Sequence, residues 1–147
     1  MIDCKYENDS LIIEGLAIPP QSNHQYIPVK MGGSTRMVKA KKSRDWADAM
    51  GLILNTIPFH PVRKWVLDGF FVSVDMQLRM RKEELYTKDG RARKWDATNR
   101  IKTMHDAISK ASLVDDSIFW ISSVEKVETD GESNCTIILK PYKPRKL

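Results

Sequence analysis

Apolar and polar residues alternate most regularly within residues 66–80, where every second position from 72 to 80 is apolar. A period of two is typical of a strand that is buried on one face. Residues 11–18 form an apolar run that Pro19 and Pro20 end, which favours an earlier strand. These two segments predict the beginnings of a sheet.

Two further segments have the period of a helix. Between residues 43 and 57 apolar residues recur three or four positions apart, with Ser43 as the predicted N-cap and Pro58 as the stop. The second helix is predicted from about residue 99 to residue 111, and Thr98 or Asp96 is its predicted cap. Its predicted buried stripe consists of Ile101, Met104, Ile108 and Ala111.

The remaining segments complete the predicted fold. Residues 118–127 and 135–140 are predicted as strands, and the turn at Asp130-Gly131 favours a hairpin between them. Residues 21–42 are polar and predict a long exposed loop or a loose hairpin, and a basic tail begins at about residue 141. We therefore expect one α+β domain over residues 1–147, with a mixed sheet of roughly four strands and two packed helices. Its expected order is strand, helix, strand, helix, strand, strand.

Composition adds a weak functional signal. Lys and Arg total 24 against 19 Asp and Glu, giving a net charge of +5. Such a surplus suits a polyanionic partner, although many proteins that bind no nucleic acid share it. No stretch approaches the roughly 20 apolar residues that span a bilayer, so we expect no membrane association. Cys4 and Cys135 lack a metal-type spacing and predict free thiols in the cytoplasm.

The most informative residues flank the second predicted helix. Asp96 stands just before it, Lys102 lies near its first turn, and an acidic pair at residues 115–116 follows its end. Mg²⁺ takes oxygen ligands, and usually only one or two carboxylates from the protein. A lysine nearby would neutralise charge that develops during phosphodiester cleavage. Thr98 and Asn99 lie on the same side as Lys102, where they would orient water or ligand.

Ordinary structural roles would explain each of these residues singly. Asp96 or Thr98 could cap the helix, Lys102 could pair with Asp106, and the acidic pair at 115–116 could form a turn. A cap explains one acidic residue, but it does not explain an amide, a lysine and an acidic pair beyond the far end. The whole set therefore favours a metal site.

Residues 96–102 (Asp-Ala-Thr-Asn-Arg-Ile-Lys), with Asp106-Ala107 and Asp115-Asp116, resemble the signature of the RusA-type Holliday junction resolvases. Residues 18–23 (Ile-Pro-Pro-Gln-Ser-Asn) are similar to the segment that follows the first strand in that family. The similarity covers about residues 11–139. It implies a homodimeric, Mg²⁺-dependent endonuclease, with Mn²⁺ as a substitute, that resolves four-way DNA junctions in recombination and repair. It also suggests a bacterial or phage origin.

The same resemblance assigns roles to individual positions. It implies Asp96 and Asp116 as the acidic, metal-binding positions and Lys102 as the essential lysine; the chemistry of the residues adds Asp115 to the predicted catalytic residues and Thr98 as a neutral metal ligand. One departure matters, because Thr98 stands where the founding enzyme has a second aspartate. Trp95 likewise replaces an arginine for which Lys94 or Arg93 would substitute. Because Thr98 is neutral, a second function is also consistent with the sequence: a non-catalytic protein with the same fold that binds branched DNA.

Basic residues gather before the first predicted helix and before the motif, where they would contact phosphates. Solvated surface residues are an equally good explanation for any one of them. The polar residues predicted to bind DNA are Asn23, Lys30, Arg36, Lys39, Lys42, Arg44, Lys94, Asn99 and Arg100.

The predicted site poses a problem of distance. A helix of 13 residues is about 20 Å long, so Asp96 and Asp116 begin far apart. The connection over residues 112–116 spans at most roughly 16 Å. Either the chain doubles back, or Asp96 of one subunit meets Asp116 of the other in a two-fold dimer. We favour the second arrangement from sequence, since a symmetric junction needs two matched cuts.

Overall fold

The computed structural model describes residues 2–20, 26–94 and 97–147. Its elements, in chain order, are β1 (Asp3–Glu7), β2 (Ser10–Leu16), β3 (Tyr26–Met31), β4 (Ser34–Lys39), α1 (Lys41–Leu54), α2 (His60–Leu67), β5 (Phe71–Met80), α3 (Lys82–Leu85), α4 (Thr98–Ser112), a 3₁₀ turn (Asp116–Ile118), β6 (Phe119–Glu128) and β7 (Asn134–Tyr142).

Five of the strands form one mixed sheet in the order β1-β2-β7-β5-β6. β5 and β6 run parallel, whereas the other neighbouring pairs are antiparallel. This mixed sheet with its packed helices confirms the predicted fold class. The edge strand β1 is additional to the predicted strands, because four of its five residues are exposed and it has no apolar run to reveal it.

The predicted hairpin between β6 and β7 is wrong, because β5 lies between the two strands. Asp75 of β5 is paired with Ser123 of β6 on one side and with Ile138 of β7 on the other. The connection over residues 129–133 crosses the end of β5, where the Thr129 amide donates to the Met80 carbonyl at 2.9 Å. A turn signal is local, so it cannot distinguish a hairpin from a connection that passes one strand.

The core lies between the sheet and the helices. α2 and α4 contact the sheet, and α1 packs against α4. The alternation within residues 66–80 is confirmed from residue 71 onward, because alternate β5 side chains are at most 3% exposed. The central residues of this core are Val72, Val74, Met76, Leu78, Leu11, Ile13, Ile137 and Leu139.

The two helices before β5 differ from prediction at their ends. α1 begins before the expected cap, so Ser43 lies inside the helix, is 2% exposed, and does not act as its N-cap. α2 was not predicted, because it is only eight residues long and has one proline just before it, at residue 58, and another in its first turn. Pro61 occupies the first turn, where proline is favoured, and Gly69 follows the helix with a φ of +90°.

The polar segment 21–42 contains a hairpin, the second of its two predicted alternatives. β3 and β4 pair in antiparallel register from Met31 opposite Ser34 to Tyr26 opposite Lys39. Gly32, with a φ of +66°, lies in the tight turn between them, where a positive φ favours glycine. This two-stranded sheet is separate from the main one.

The chain reverses direction immediately after α4. Leu113 adopts the left-handed conformation, with φ 61° and ψ 29°, in which helices commonly end. The Ser109 hydroxyl donates to the Val114 carbonyl at 2.7 Å, and the Val114 amide donates to the Ser112 hydroxyl at 3.3 Å. The 3₁₀ turn then packs back against α4.

We expect Leu113→Gly to stabilise the protein by about 0.5–1 kcal/mol. Relief of left-handed strain is worth roughly 1–2 kcal/mol, and the entropy of glycine costs roughly 0.5–1 kcal/mol. Leu113 is 81% exposed, so little packing is lost. Urea unfolding measures the change. Leu52→Gly is the control, because Leu52 is 74% exposed within α1 and its replacement should destabilise by about 1 kcal/mol. Equal destabilisation by both variants would contradict the argument.

Candidate active site

The segment after β2 is held against two helices. The Trp46 indole of α1 donates to the Ala17 carbonyl at 3.2 Å, and the Arg100 guanidinium of α4 donates to the Pro19 carbonyl at 2.8 Å. Pro19 and Pro20 are buried. The two segments that carry the family resemblance, although 80 residues apart in sequence, are therefore in contact. Asn23 lies outside the described residues.

The first turn of α4 carries three of the predicted polar residues. The residue before the helix is Ala97, whose methyl group cannot cap, so Thr98 is the first helical residue and the cap prediction for it is wrong. Thr98 is exposed and Asn99 is half-buried. Amide groups of a first helical turn point outward and favour anions. Trp95 and the predicted ligand Asp96 lie outside the described residues.

Thr98, Lys102 and the half-buried His105 lie on the same side of α4. Because an α-helix turns about 100° per residue, Thr98 and His105 differ by about 20° around the axis, and Lys102 lies between them along the helix within about 60° of both. Lys102 is exposed. Lys102 thus projects from the side of α4 that also carries His105.

Because the chain reverses direction after α4, the turn that carries the predicted acidic pair, Asp115 and Asp116, packs against this helix. Asp116 lies close enough to His105 for its carboxylate to favour the protonated imidazole, and both acidic residues are exposed. The first alternative for the distance problem, a chain that doubles back, is therefore the path that residues 113–118 follow. The distance to Asp96 lies outside what the structure describes.

Asp115 and Asp116 have different surroundings. The Oδ1 atom of Asp115 accepts the Ser117 amide at 2.9 Å, which caps the 3₁₀ turn. This backbone hydrogen bond, reinforced by the Ser117 and Asp116 side chains, lowers the pKa of the Asp115 carboxyl. Asp115 thus shapes the turn and Asp116 is the more available ligand, as the resemblance implies.

His105 connects α4 to the strand that follows the acidic turn. Its Nε2 atom lies 2.9 Å from the Ser122 hydroxyl, and its ring meets Phe119 edge-on at 5.4 Å. Burial lowers the pKa of the His105 imidazole, and the nearby carboxylates of Asp106 and Asp116 oppose that shift. From sequence alone His105 is expected at the helix surface or the edge of the core and not as a ligand, and its half-buried position agrees with that expectation.

The charged loop before the motif has an ordered structure of its own. Nε of Arg93 donates to the Glu83 carbonyl at 2.9 Å and to the Tyr86 carbonyl at 3.1 Å, and Tyr86 forms a bridge with Ala92. These contacts occupy Arg93 within the loop. Lys94 is exposed at its end and is the better candidate for the replaced arginine.

The other basic candidates occupy β3, β4 and α1. Lys30, Arg36, Lys42 and Arg44 are exposed. Lys30 is paired with Thr35 and therefore points to the opposite face of the hairpin from Arg36. A partner bound flat against one face of the hairpin cannot contact both Lys30 and Arg36. A partner that wraps around an edge of the hairpin would contact both residues. Lys39 lies at the end of β4.

In residues 2–20, 26–94 and 97–147, no group of three or more His, Cys, Asp and Glu side chains is arranged to hold a metal ion. Asp96, the principal predicted ligand, is not among these residues. None of the helices in the described part of the chain has the length and apolar character of a membrane-spanning segment.

An acidic turn folded back on a helix that carries an exposed lysine is suited to phosphodiester chemistry on a nucleic acid. Residues 17–139 match the model of the family described as endodeoxyribonuclease RusA. The chain belongs to this family, which implies an endonuclease that resolves Holliday junctions. No curated protein matches the chain. The predicted family is therefore confirmed, and the individual residue roles stay predictions.

Proposed function

We propose that this protein is a Mg²⁺-dependent endonuclease that resolves four-way DNA junctions as a homodimer. Family membership over residues 17–139 supports the reaction, and one structural observation supports its location. That observation is the reversal at Leu113, which returns Asp116 to the helix that carries Thr98 and Lys102. The sequence places Asp96 two residues before this helix.

The donor set fits a hydrated Mg²⁺ ion, which usually takes one or two protein carboxylates and retains several waters. We assign Asp96 and Asp116 as its carboxylate ligands and Thr98 as a neutral oxygen ligand. Asp115 supports Asp116 by capping the turn, since its Oδ1 accepts the Ser117 amide. Bound Mg²⁺ would supply Lewis acidity to the phosphate and make a coordinated water more acidic.

The protein groups around the scissile phosphate have separate tasks. The exposed ammonium of Lys102 would neutralise negative charge on the phosphoryl oxygens or the leaving oxygen. The first amide groups of α4 would donate hydrogen bonds to a non-bridging phosphate oxygen, and Asn99 would orient water or ligand. Arg100, through its contact with Pro19, would position the segment that carries Asn23 and also remains a proposed DNA contact.

A homodimer would have two equivalent sites. This suits a two-fold symmetric junction, which needs two matched cuts. The basic residues of β3, β4, α1 and the loop before α4 would hold the junction arms through their phosphates. Within this proposal they include Lys30, Arg36, Lys39, Lys42, Arg44 and Lys94.

A synthetic four-way junction tests the proposal. We expect symmetric cleavage in Mg²⁺ or Mn²⁺, loss of cleavage in EDTA, and tight binding that persists in EDTA. An intact duplex of the same sequence serves as the control and should remain uncut. Stable junction binding with no cutting in either metal would contradict the nuclease proposal.

That contrary outcome would support the second candidate, a non-catalytic protein that binds branched DNA. The observation that favours it is Thr98, a neutral residue where the founding enzyme of the family carries a carboxylate. Thr98→Asp separates the two candidates further. Restored or increased cleavage by this variant would show that the scaffold is competent and that the neutral ligand limits it.

We expect His105→Ala to raise the Mg²⁺ concentration needed for half-maximal cleavage by about tenfold or more. His105 contacts Ser122 and Phe119 on the strand that follows Asp116, and partners that orient metal ligands typically contribute 10–100-fold. A Mg²⁺ titration of junction cleavage measures the change.

Two further variants control this experiment. Ser122→Ala should act in the same direction as His105→Ala, because it removes the same hydrogen bond. Asp106→Asn removes a neighbouring charge on the exposed side of α4 and should leave the Mg²⁺ requirement within about twofold. An unchanged Mg²⁺ requirement in a folded His105→Ala protein would refute the positioning role.

A further inference from the structure

Three strands bring their ends together at one end of the main sheet. β5 and β6 are parallel and both begin there, with Val72 paired with Phe119. β7 is antiparallel to β5 and ends there, with Tyr142 paired with Phe71. The residues just before β6 and just after β7 therefore lie at the same end of the molecule.

An aromatic pair lies at this end, with Phe71 half-buried and Trp120 exposed. The rings of Phe71 and Trp120 are 4.0 Å apart between centroids, at an angle of 38°. Phe71 is on the opposite face of β5 from the buried Val72, so the pair lies on the face away from the core. Trp120 is 55% exposed. One side of its indole rests on Phe71, and much of the remainder is open to a planar partner.

A basic segment follows the last strand at the same end. Residues 143–147 read Lys-Pro-Arg-Lys-Leu, and their three cationic side chains are exposed. Lys140 adds a fourth exposed cation within β7, paired with Ser73. This end of the sheet also carries exposed acidic residues: Asp115 and Asp116 of the 3₁₀ turn, four or five residues before Trp120, Asp68 just before β5, and Asp9 just before β2.

We propose that Trp120 and the segment 143–147 form a second DNA contact at the end of the sheet where the acidic turn precedes β6, on the sheet face opposite α4. Trp120 stacks on an unpaired base at the branch point, and the basic segment holds the phosphates of the same strand. Aromatic stacking with adjacent cations is how proteins bind unpaired strands without reading their sequence. This inference rests on the proposed function, since it places the junction centre beside Asp116.

The arrangement gives the site a preference for branched DNA. Stacking needs a base that is free of its neighbours, and an intact duplex offers none. Cations alone would bind any duplex equally well. The aromatic pair therefore contributes selectivity for structure, whereas the basic segment contributes affinity.

Binding in EDTA tests the stacking contact, using fluorescence anisotropy with a four-way junction and with an intact duplex. We expect Trp120→Ala to weaken junction binding about tenfold and duplex binding less than twofold, and Trp120→Phe to recover most of the loss. Tyr6→Ala is the matched control, because Tyr6 is an aromatic residue of the opposite edge strand and is 48% exposed. It should change neither affinity.

The salt dependence of binding tests the basic segment. Replacing Lys143, Arg145 and Lys146 by alanine should reduce the slope of log affinity against log salt by about 2–3, as expected for three lost phosphate contacts. The control removes three exposed cations elsewhere, Lys5, Lys64 and Lys110, and should reduce the slope by less than 1.

Two outcomes would overturn the inference. In the first, Trp120→Ala binds the junction with the same affinity as Tyr6→Ala, and the two triple variants show the same salt dependence of junction binding. The other is conversion of a dimer to a monomer by Trp120→Ala with unchanged affinity per subunit, which would assign the aromatic pair to a contact between copies. Sedimentation of each variant separates that case. Failure of the proposed function itself would appear differently, as an unmodified protein that binds junctions in EDTA and cuts none in Mg²⁺.

Discussion

Asp116→Asn is expected to reduce junction cleavage by about 10³-fold, equivalent to about 4 kcal/mol of transition-state stabilisation. The exposed carboxylate of Asp116 returns to α4 through the reversal at Leu113, and the substitution replaces an anionic metal ligand with a neutral amide of the same shape. Junction affinity in EDTA should stay the same or increase, because a negative charge near the phosphates is lost. Single-turnover cleavage and anisotropy measure the two quantities.

Asp115→Asn is the matched control for this experiment. An asparagine side chain still offers an oxygen to the Ser117 amide, so the cap of the 3₁₀ turn survives. We expect its effect to stay below tenfold. Cleavage by Asp116→Asn at the unmodified rate would contradict the assignment, and equal losses in both variants would make Asp115 a second metal ligand.

Lys102→Met is expected to reduce cleavage by about 10²-fold, mainly through kcat. Methionine keeps a long side chain on the exposed surface of α4 and removes the charge that stabilises the transition state. Lys102→Arg should recover part of the rate, because it restores the charge with a different geometry. Binding in EDTA should weaken by no more than the loss of one phosphate contact.

Lys110→Met is the control for charge on the same helix. Lys110 is exposed two turns beyond Lys102, near the end of α4. Its replacement should leave kcat unchanged within about twofold. If both lysine variants lose activity equally, the effect is a general property of the helix and Lys102 has no special task in catalysis.

Elements with strong local periodicity were predictable from sequence. The alternation that ends at Met80 is confirmed. The predicted stripe of α4 also faces the core, with Met104 and Ile108 buried and Ile101 and Ala111 partly buried. α2 escaped prediction because Pro58, Phe59, His60 and Pro61 resemble a loop. Its helical spacing of Val62, Trp65 and Val66 is too short to stand out.

Long-range pairing was not predictable in the same way. The insertion of β5 between β6 and β7 depends on contacts between residues about 50 to 65 positions apart, such as Asp75 with Ser123 and with Ile138. Asp130-Gly131 indicates a turn and says nothing about the strand to which the chain returns. β1 was missed for a different reason: its pairing with β2 through the turn at Asn8 and Asp9 is local, but the strand is mostly exposed and has no apolar run.

The candidate site was predictable in its residue types and only partly in its geometry. Charge and spacing selected Lys102 and Asp116, but the backbone conformation of Leu113 decides that they share one region. A leucine in the left-handed region has no sequence signature comparable to glycine. The hydrogen bond of His105 was unpredictable for a related reason, because its partner Ser122 lies in a strand 17 residues later.

The central position of β7 has a consequence for synthesis on the ribosome. β7 lies between β2 and β5, so the two halves of the sheet cannot join until residues 134–142 have left the exit tunnel. Translation has by then already produced the acidic turn and α4. A nascent chain therefore carries every proposed ligand well before the scaffold that aligns them exists, and folding is delayed by this long-range closure. A chain that terminates before residue 134 should therefore aggregate readily and should not cleave DNA.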